Sequence, residues 1–127
     1  MTKTILIVDD EDDIREVAQL TLELGSSWTV VAASSGAEGL EQARALHPDA
    51  ILLDVMMPGM DGPATLASLR EDPTTCDIPV IFVTAKVRSS DRERLAALGV
   101  KAVLAKPFDP IAFPGQVAEA LGWAGVS

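Results

Sequence analysis

The sequence predicts a three-layer α/β domain, with helices covering both faces of a five-stranded parallel sheet. Short, continuous apolar segments alternate strictly with segments of helical periodicity. Strands buried on both faces have this continuous apolar character, whereas a strand with one wet face alternates apolar and polar residues. Crossovers that contain a helix join parallel strands and are right-handed. The 127 residues suit one domain with one hydrophobic core.

The five predicted strands are short runs of aliphatic and β-branched residues, which favour extended structure. They are TILIV (4–8), WTVVAA (28–33), AILLD (50–54), IPVIFVT (78–84) and VKAVLA (100–105). Aromatic residues make up only 4% of the chain. Isoleucine, leucine, valine and alanine must therefore supply most of the core.

The five predicted helices follow the strands in turn. They cover residues 12–25, 36–48, 63–72, 90–99 and 109–121. Gly25 and Gly99 are natural helix stops, and Pro48 disfavours helical structure at the residue before it. Pro63 suits a first turn, where its missing N–H costs little.

The last two helices carry more specific predictions about their ends. Ser90 and Glu93 have the spacing of a capping box, in which each side chain satisfies a free N–H. Asp109 is expected to be the N-cap of the last helix, with Pro110 at its first position. Pro114 lies one turn further on and would remove a hydrogen bond, which predicts a kink or a helix that begins late.

Composition limits the classes of function. The net charge of −9 argues against a direct nucleic-acid partner, because phosphate backbones attract basic surfaces. No apolar run approaches the roughly 20 residues of a membrane span, and the N-terminus lacks a signal-peptide pattern. The single cysteine, Cys76, fits a reducing cytoplasm and is interpreted as a loop thiol, and His47 as a surface residue. Residues 1–127 are expected to form a single domain without an output domain.

Polar residues stand where four of the predicted strands end. They are Asp9 and Asp10 after strand 1, Asp54 at strand 3, Thr84 at strand 4 and Lys106 after strand 5. In such a sheet the functional site lies at the carboxyl ends of the strands, near the point where strand order reverses. Converging carboxylates repel one another and raise the pKa of at least one member, so a cation is expected among them. Two cations are plausible, the ammonium group of Lys106 and a bound metal.

The ligand chemistry favours Mg²⁺, which binds one or two carboxylates and keeps several waters. A carboxylate beside such a metal, with lysine and threonine as donors, can act as a nucleophile toward phosphorus. Asp54 is the best nucleophile because it ends a central strand. Asp10 is the expected direct metal ligand, with Asp9 beside it.

A second interpretation of the acidic pair remains open. Asp9 and Asp10 could instead cap the first helix and offset its dipole. The following acids, Glu11 to Asp13, are expected in the first turn of that helix, where acids stabilise the helix end.

Four motifs, in order and at these spacings, resemble a response-regulator receiver domain, the CheY-like phospho-acceptor of two-component signalling. They are ILIVDDE, AILLDVMMPGMDG, IPVIFVTA and LAKPFD. The resemblance extends over essentially the whole chain. It implies a flavodoxin-like doubly wound fold, (βα)5, with strand order 2-1-3-4-5.

The resemblance also implies roles for individual residues. Asp54 would accept a phosphoryl group from a phosphohistidine on a sensor histidine kinase, a phosphotransfer protein or a small phosphodonor. Asp9, Asp10, Asp54 and the backbone carbonyl of Met56 would organise Mg²⁺.

The phosphoryl oxygens would be bound by Lys106 and by the hydroxyl of Thr84, which the small Ala85 follows. A cis peptide bond at Lys106–Pro107 would direct the lysine inward. Gly62 is expected to supply backbone freedom near the site.

Two departures from the family pattern concern signal output and dephosphorylation. Val103 stands where the family carries an aromatic residue that turns inward on activation, and a branched valine has little reach. The face formed by the fourth helix, fifth strand and fifth helix is still expected to bind a downstream protein. Met56 and Lys86 occupy the positions that tune dephosphorylation, and neither side chain would orient an attacking water, so we expect a long-lived phospho-form.

The same face collects basic residues in an otherwise acidic protein. They are Lys86, Arg88, Arg92, Arg94 and Lys101. They form either a solvated helix face with local ion pairs or a docking patch for an acidic partner.

Three functions compete. The first is a stand-alone response regulator, with a phosphorelay intermediate as its variant. The second is a phosphohydrolase with an aspartyl nucleophile, which is weak because Met56 stands where such enzymes need a second aspartate. The third is a receiver-like module that only binds partners, which would have lost the acidic pair, Asp54 or Lys106.

Overall fold

A computed structural model describes residues 3–85 and 88–123, in which strands and helices alternate along the chain. The strands are β1 (Thr4–Val8), β2 (Thr29–Ala33), β3 (Ala50–Asp54), β4 (Val80–Thr84) and β5 (Ala102–Ala105). The helices are α1 (Asp12–Leu24), α2 (Gly36–Leu46), α3 (Gly62–Glu71), α4 (Ser89–Ala96) and α5 (Phe113–Leu121). Among the described residues, no helix combines the length and apolar character needed to cross a membrane.

The strands form one parallel sheet in the order β2-β1-β3-β4-β5, which confirms the predicted fold class. Strand order reverses between β1 and β3. From β1 the chain passes to β2 at one edge of the sheet, and it then returns to form β3 on the other side of β1. Val8 pairs with Leu53, and Asp54 pairs with Val83. The residues that follow β1 and those that end β3 therefore lie side by side at the carboxyl edge.

Successive strand residues point to opposite faces of the sheet, and each face has its own core. Leu6, Val8 and Phe82 pack with apolar residues of α2, α3 and α4. Ile5 and Ile7 lie on the other face and pack with α1 and α5. The continuous apolar strands are thus explained by burial on both sides.

The start of α4 differs from the prediction. The helix begins at Ser89, its N-cap is Arg88, and no side chain among the described residues caps it. The predicted capping box of Ser90 and Glu93 is wrong because Ser90 already lies inside the first turn. Gly99 follows the helix with φ +84, a conformation that favours glycine and ends the turn after α4.

The start of α5 is late, which confirms one of the two alternatives for Pro114. Pro114 lies in the first turn, where the helix needs no N–H from it. The prediction of Asp109 as N-cap and Pro110 as first helical residue is wrong. Asp109 instead accepts a hydrogen bond from the N–H of Ile111 at 3.0 Å, which holds a turn before the helix.

The other helix ends follow the prediction more closely. Gly25 ends α1, and Pro63 lies in the first turn of α3, where Asp61 accepts a hydrogen bond from the N–H of Ala64 at 2.9 Å. The second helix ends at Leu46, and His47 follows it in a left-handed conformation with φ 47.

An aromatic contact joins the residue before β2 to the segment after α5. The rings of Trp28 and Trp123 meet edge to face with centroids 5.2 Å apart. The ammonium group of Lys3 lies 5.1 Å from the centre of the Trp123 ring. The contact lies near the amino ends of the strands, opposite the carboxyl edge.

Candidate functional site

The carboxyl edge of the sheet brings together most of the polar residues singled out from the sequence. Asp9 directly follows β1, Asp54 ends β3, and Thr84 ends β4; all three are buried. Lys106 follows β5 directly, and its N–H donates to the Thr84 carbonyl at 2.9 Å. The Lys106–Pro107 peptide bond is cis.

Lys106 is the cation at the centre of this arrangement. Its Nζ lies 2.8 Å from Asp9 Oδ2 and 3.2 Å from Asp54 Oδ1. The carboxylate of Glu11 is more distant, at 3.7 Å. One ammonium group thus faces three carboxylates, which leaves negative charge in excess.

This environment shifts two pKa values. Burial, and then the negative charge of Asp9, raise the pKa of Asp54 from 3.8 to about 6, although Lys106 acts to lower it. Burial lowers the pKa of Lys106, but hydrogen bonds and charges from Asp9 and Asp54 outweigh burial, so that its pKa is raised. Lys106 is therefore a stable cation, but it does not fully compensate the charge of Asp54.

Two buried carboxylate oxygens have no hydrogen-bond partner among the described residues. They are Asp10 Oδ1 and Asp54 Oδ2. The other oxygen of Asp54 contacts Lys106 and also accepts a weak hydrogen bond from the N–H of Met56 at 3.4 Å. A buried carboxylate oxygen without a donor is costly and is well matched to a metal cation.

The acidic cluster has the dimensions of a metal site. Asp9, Asp10, Glu11 and Asp54 can each place one oxygen so that all four lie within 4.8 Å of one another. The donors are all oxygens, which suits a hard divalent cation such as Mg²⁺. The residues present therefore fit the cation that the sequence predicts.

Glu11 and Arg15 are neighbours of the site that sequence reasoning missed. Glu11 is the N-cap residue of α1 rather than part of its first turn, as was predicted, and its side chain makes no capping hydrogen bond within the described chain. Its carboxylate reaches the acidic cluster instead. Arg15 donates from Nη1 to the backbone carbonyl of Asp9 at 2.8 Å. The run of acids gave a signal for Glu11, whereas no sequence signal marks a side chain that binds a backbone carbonyl.

Gly62 lies against the site for a reason different from the one predicted. A Cβ at this position would stand 2.6 Å from the Asp54 carbonyl oxygen and 2.8 Å from the Val55 Cα. Its N–H donates to the Val55 carbonyl at 2.9 Å. Close approach of two backbones, rather than conformational freedom, therefore requires glycine here.

The remaining predicted residues flank the site. The side chain of Met56 is exposed, so only its backbone lies against Asp54, and Met57 is buried in the core. Ala85 is exposed directly after Thr84. Val103 is buried in the same core as Leu95 of α4.

Two of the four described basic residues near α4 are engaged locally. Arg94 pairs with Asp91 at 3.1 Å, and Arg92 donates to the Val103 carbonyl at 2.9 Å. Arg88 and Lys101 are exposed. Lys86 lies outside the described residues. Local pairing supports the interpretation of a solvated helix face over that of a docking patch.

Comparison with known proteins agrees with this geometry. Residues 5–117 match the family model described as the response regulator receiver domain. Response regulator Rre1 of Synechocystis sp. is 37% identical over 107 residues, which are 84% of this chain and 46% of that protein. The alkaline phosphatase synthesis transcriptional regulatory protein PhoP of Bacillus subtilis is 39% identical over 110 residues, which are 87% of this chain and 45% of that protein.

Solved structures share the whole fold. Chemotaxis protein CheY4 of Vibrio cholerae superposes with a TM-score of 0.86 at 27% identity, covering 94% of this chain and 99% of that one. The chain spans slightly less than half the length of the two relatives compared above.

Proposed function

The chain belongs to the response regulator receiver domain family, and from that premise we propose that it is a signalling switch phosphorylated on Asp54. The observation that carries the proposal is the state of the two Asp54 oxygens. Oδ1 is held by Lys106 and the Met56 N–H, while Oδ2 is buried without a hydrogen-bond partner in the described chain. A carboxylate fixed at one oxygen and open at the other is oriented for attack.

The proposed reaction is phosphoryl transfer from a phosphohistidine. Asp54 Oδ2 forms an O–P bond while the P–N bond of the donor breaks. The electron pair of the P–N bond goes to the nitrogen of the histidine ring. Lys106 and the Thr84 hydroxyl bind the phosphoryl oxygens, whose charge develops between donor and acceptor. Lys106 already contacts Asp54, so a small movement of its ammonium group would bring it to a phosphoryl oxygen of phosphorylated Asp54.

The proposed metal site consists of Asp9, Asp10, Asp54 and the Met56 carbonyl. The buried Asp10 Oδ1, which has no hydrogen-bond partner in the described chain, supports this assignment. When bound, Mg²⁺ supplies positive charge that neutralises phosphoryl oxygens. The protein's own contribution is to hold the carboxylates at fixed positions.

The proposed phosphodonor is a sensor histidine kinase or a phosphotransfer protein, and a surface beside the site suits its docking. Val17 and Leu20 of α1 are 48% and 58% exposed, and Ile111 before α5 is 93% exposed. Exposed apolar side chains that lie together mark protein interaction surfaces. Since α1 begins beside the acidic cluster and Ile111 follows Lys106 closely, a donor docked here would reach Asp54.

Several finer expectations stay predictions. They are a downstream partner bound through α4, β5 and α5, a cytoplasmic location without direct nucleic-acid binding, a long-lived phospho-form, and a single domain without an output domain. The two related proteins are about twice as long as this chain. The mass of the native polypeptide therefore tests the prediction of a single domain without an output domain. A phosphorelay intermediate would use the same chemistry in both directions.

Intact mass tests the proposal directly. Incubation with acetyl phosphate and Mg²⁺ is expected to add one phosphoryl group to the unmodified protein. Asp54→Ala should add none, whereas Asp72→Asn, a matched acidic position remote from the cluster, should behave as the unmodified protein does. Chelation with EDTA should suppress the addition. Absence of phosphate on the unmodified protein would overturn the proposal.

A further inference from the structure

We infer that Arg15 is a positioning residue for the metal site, acting through the backbone carbonyl of Asp9. This inference rests on the proposed function, since it assumes that the acidic cluster binds Mg²⁺. Arg15 belongs to the second turn of α1, and its side chain is 20% exposed. It extends back over the start of the helix toward the carboxyl edge of the sheet.

The guanidinium group of Arg15 makes two contacts with different partners. Nη1 donates to the Asp9 carbonyl oxygen at 2.8 Å, and Nη2 bonds the carboxylate of Asp12. The planar guanidinium group fixes both donors in one rigid unit. Asp12 thereby orients the group that holds Asp9.

Arg15 completes a set of contacts that leaves no polar group of Asp9 without a partner. The Asp9 N–H donates to the Ala33 carbonyl at 3.1 Å. Asp9 Oδ1 accepts from the Glu11 N–H at 2.9 Å, and Oδ2 pairs with Lys106 at 2.8 Å. The remaining polar group, the backbone carbonyl of Asp9, accepts the hydrogen bond from Arg15.

The carbonyl of Asp9 belongs to the peptide plane that leads into Asp10. Fixing that plane fixes the position of the Asp10 Cα and the axis of its N–Cα bond, because the peptide unit is planar and rigid. Asp10 Oδ1 is buried and has no hydrogen-bond partner in the described chain. By holding the backbone from which Asp10 extends, Arg15 would restrict where this oxygen can lie, without itself contacting the cation.

Electrostatics and positioning predict opposite effects of removing Arg15. Arg15 is itself a cation near a cation site, so charge repulsion alone predicts that its loss strengthens Mg²⁺ binding. Loss of positioning predicts weaker binding, and outer partners of metal ligands are typically worth about tenfold or more in affinity. The sign of the change therefore separates the two roles.

The test is calorimetric titration of Mg²⁺ into the unphosphorylated protein. Arg15→Gln is expected to raise the Kd about tenfold. Arg15→Lys keeps the charge but not the two-pronged geometry, so it should also bind more weakly than the unmodified protein. Arg44→Gln is the matched control, because Arg44 pairs with Asp72 away from the cluster and its loss should leave the Kd unchanged.

A second readout is the Mg²⁺ dependence of phosphorylation by acetyl phosphate. Arg15→Gln should raise the half-saturating Mg²⁺ concentration and leave the plateau rate unchanged. Unchanged or tighter Mg²⁺ binding by Arg15→Gln, with normal binding by the unmodified protein, overturns this inference alone. If the unmodified protein binds no Mg²⁺, the proposed function and the inference both fail. Should Arg15→Gln prove unfolded in EDTA, the titration of Arg15→Lys decides by the same criterion.

Discussion

Asp54 and Asp72 are the same chemical group placed at the ends of successive elements, and the protein shifts their pKa values in opposite directions. Asp54 ends β3, and burial followed by the charge of Asp9 raises its pKa to about 6. Asp72 follows α3, and hydrogen bonds from the hydroxyl and N–H of Thr74, then from Arg44, lower its pKa to about 2.

The difference lies in how many of the oxygens have donors. Asp72 Oδ1 accepts from the Thr74 N–H at 2.9 Å and from its hydroxyl at 2.7 Å, and Oδ2 pairs with Arg44 at 2.8 Å. Asp54 Oδ2 has no such partner in the described chain. The ionised Asp72 carboxylate therefore stabilises the fold. Asp54 leaves one oxygen available to bind a ligand, and its ionised form destabilises the fold.

The largest expected effect comes from removing the cation that serves Asp54. Lys106→Gln should slow phosphorylation by acetyl phosphate roughly 100-fold, because a buried donor aimed at developing charge is lost. The measurement is the initial rate of phosphoprotein formation at saturating Mg²⁺. Lys101→Gln, an exposed lysine just before β5, should keep the normal rate.

A rate for Lys106→Gln within a few-fold of the unmodified protein would contradict the view that Lys106 binds the transferred group. An equal loss in Lys101→Gln would point to general charge rather than to the site.

The second effect is a gain in stability when Asp54 is neutralised. In EDTA at pH 7.5, Asp54→Asn should raise the free energy of unfolding by about 2 to 3 kcal/mol, the equivalent of the shift in pKa. Because the folded-state pKa is raised, ionised Asp54 destabilises the fold above about pH 6 and has no effect below about pH 3.8. The gain should therefore appear between these two values as pH rises.

Urea unfolding at pH 4 and pH 7.5 measures this gain. Millimolar Mg²⁺ should stabilise the unmodified protein and narrow its difference from Asp54→Asn, because a ligand bound by the folded state adds stability. A variant that is less stable at pH 7.5 in EDTA would show that Lys106 fully compensates the charge of Asp54.

The smallest effect, opposite in sign, is expected at Asp72. Asp72→Asn should lower the Tm slightly at pH 7, since the charged form is stabilised by Thr74 and Arg44 in a solvent-screened setting. A depressed pKa gives stability that is full above the unfolded value and is lost as pH falls through about 2. The difference in Tm should accordingly shrink at pH 3 and in high salt. A Tm that rises at pH 7 would remove the contrast between the two aspartates.

The sheet and its carboxyl edge could be predicted because the relevant signals are local. Continuous apolar runs identify strands buried on both faces, and parallel strands bring their ends to one edge. Asp9, Asp54 and Lys106 meet for that reason alone. The orientation of Arg15 could not be predicted, because its partner is a backbone carbonyl that has no sequence signature.

Helix ends were predictable only where a single residue decides them. Gly25 and Pro63 mark such ends. The start of α5 depends instead on a turn closed by Asp109, and Pro114 could have produced either outcome. Likewise, the need for glycine at 62 comes from the approach of Asp54 and Val55, a tertiary contact that spacing along the chain does not reveal.

The contact between Trp28 and Trp123 determines which part of this protein intrinsic tryptophan fluorescence can monitor. The sequence contains two tryptophans, and both lie together near the amino ends of the strands. Intrinsic fluorescence therefore measures the packing of the end of α5 against the start of β2. It is a poor indicator of cation or phosphoryl binding at the opposite edge, for which an introduced fluorophore near Met56 would be the better choice.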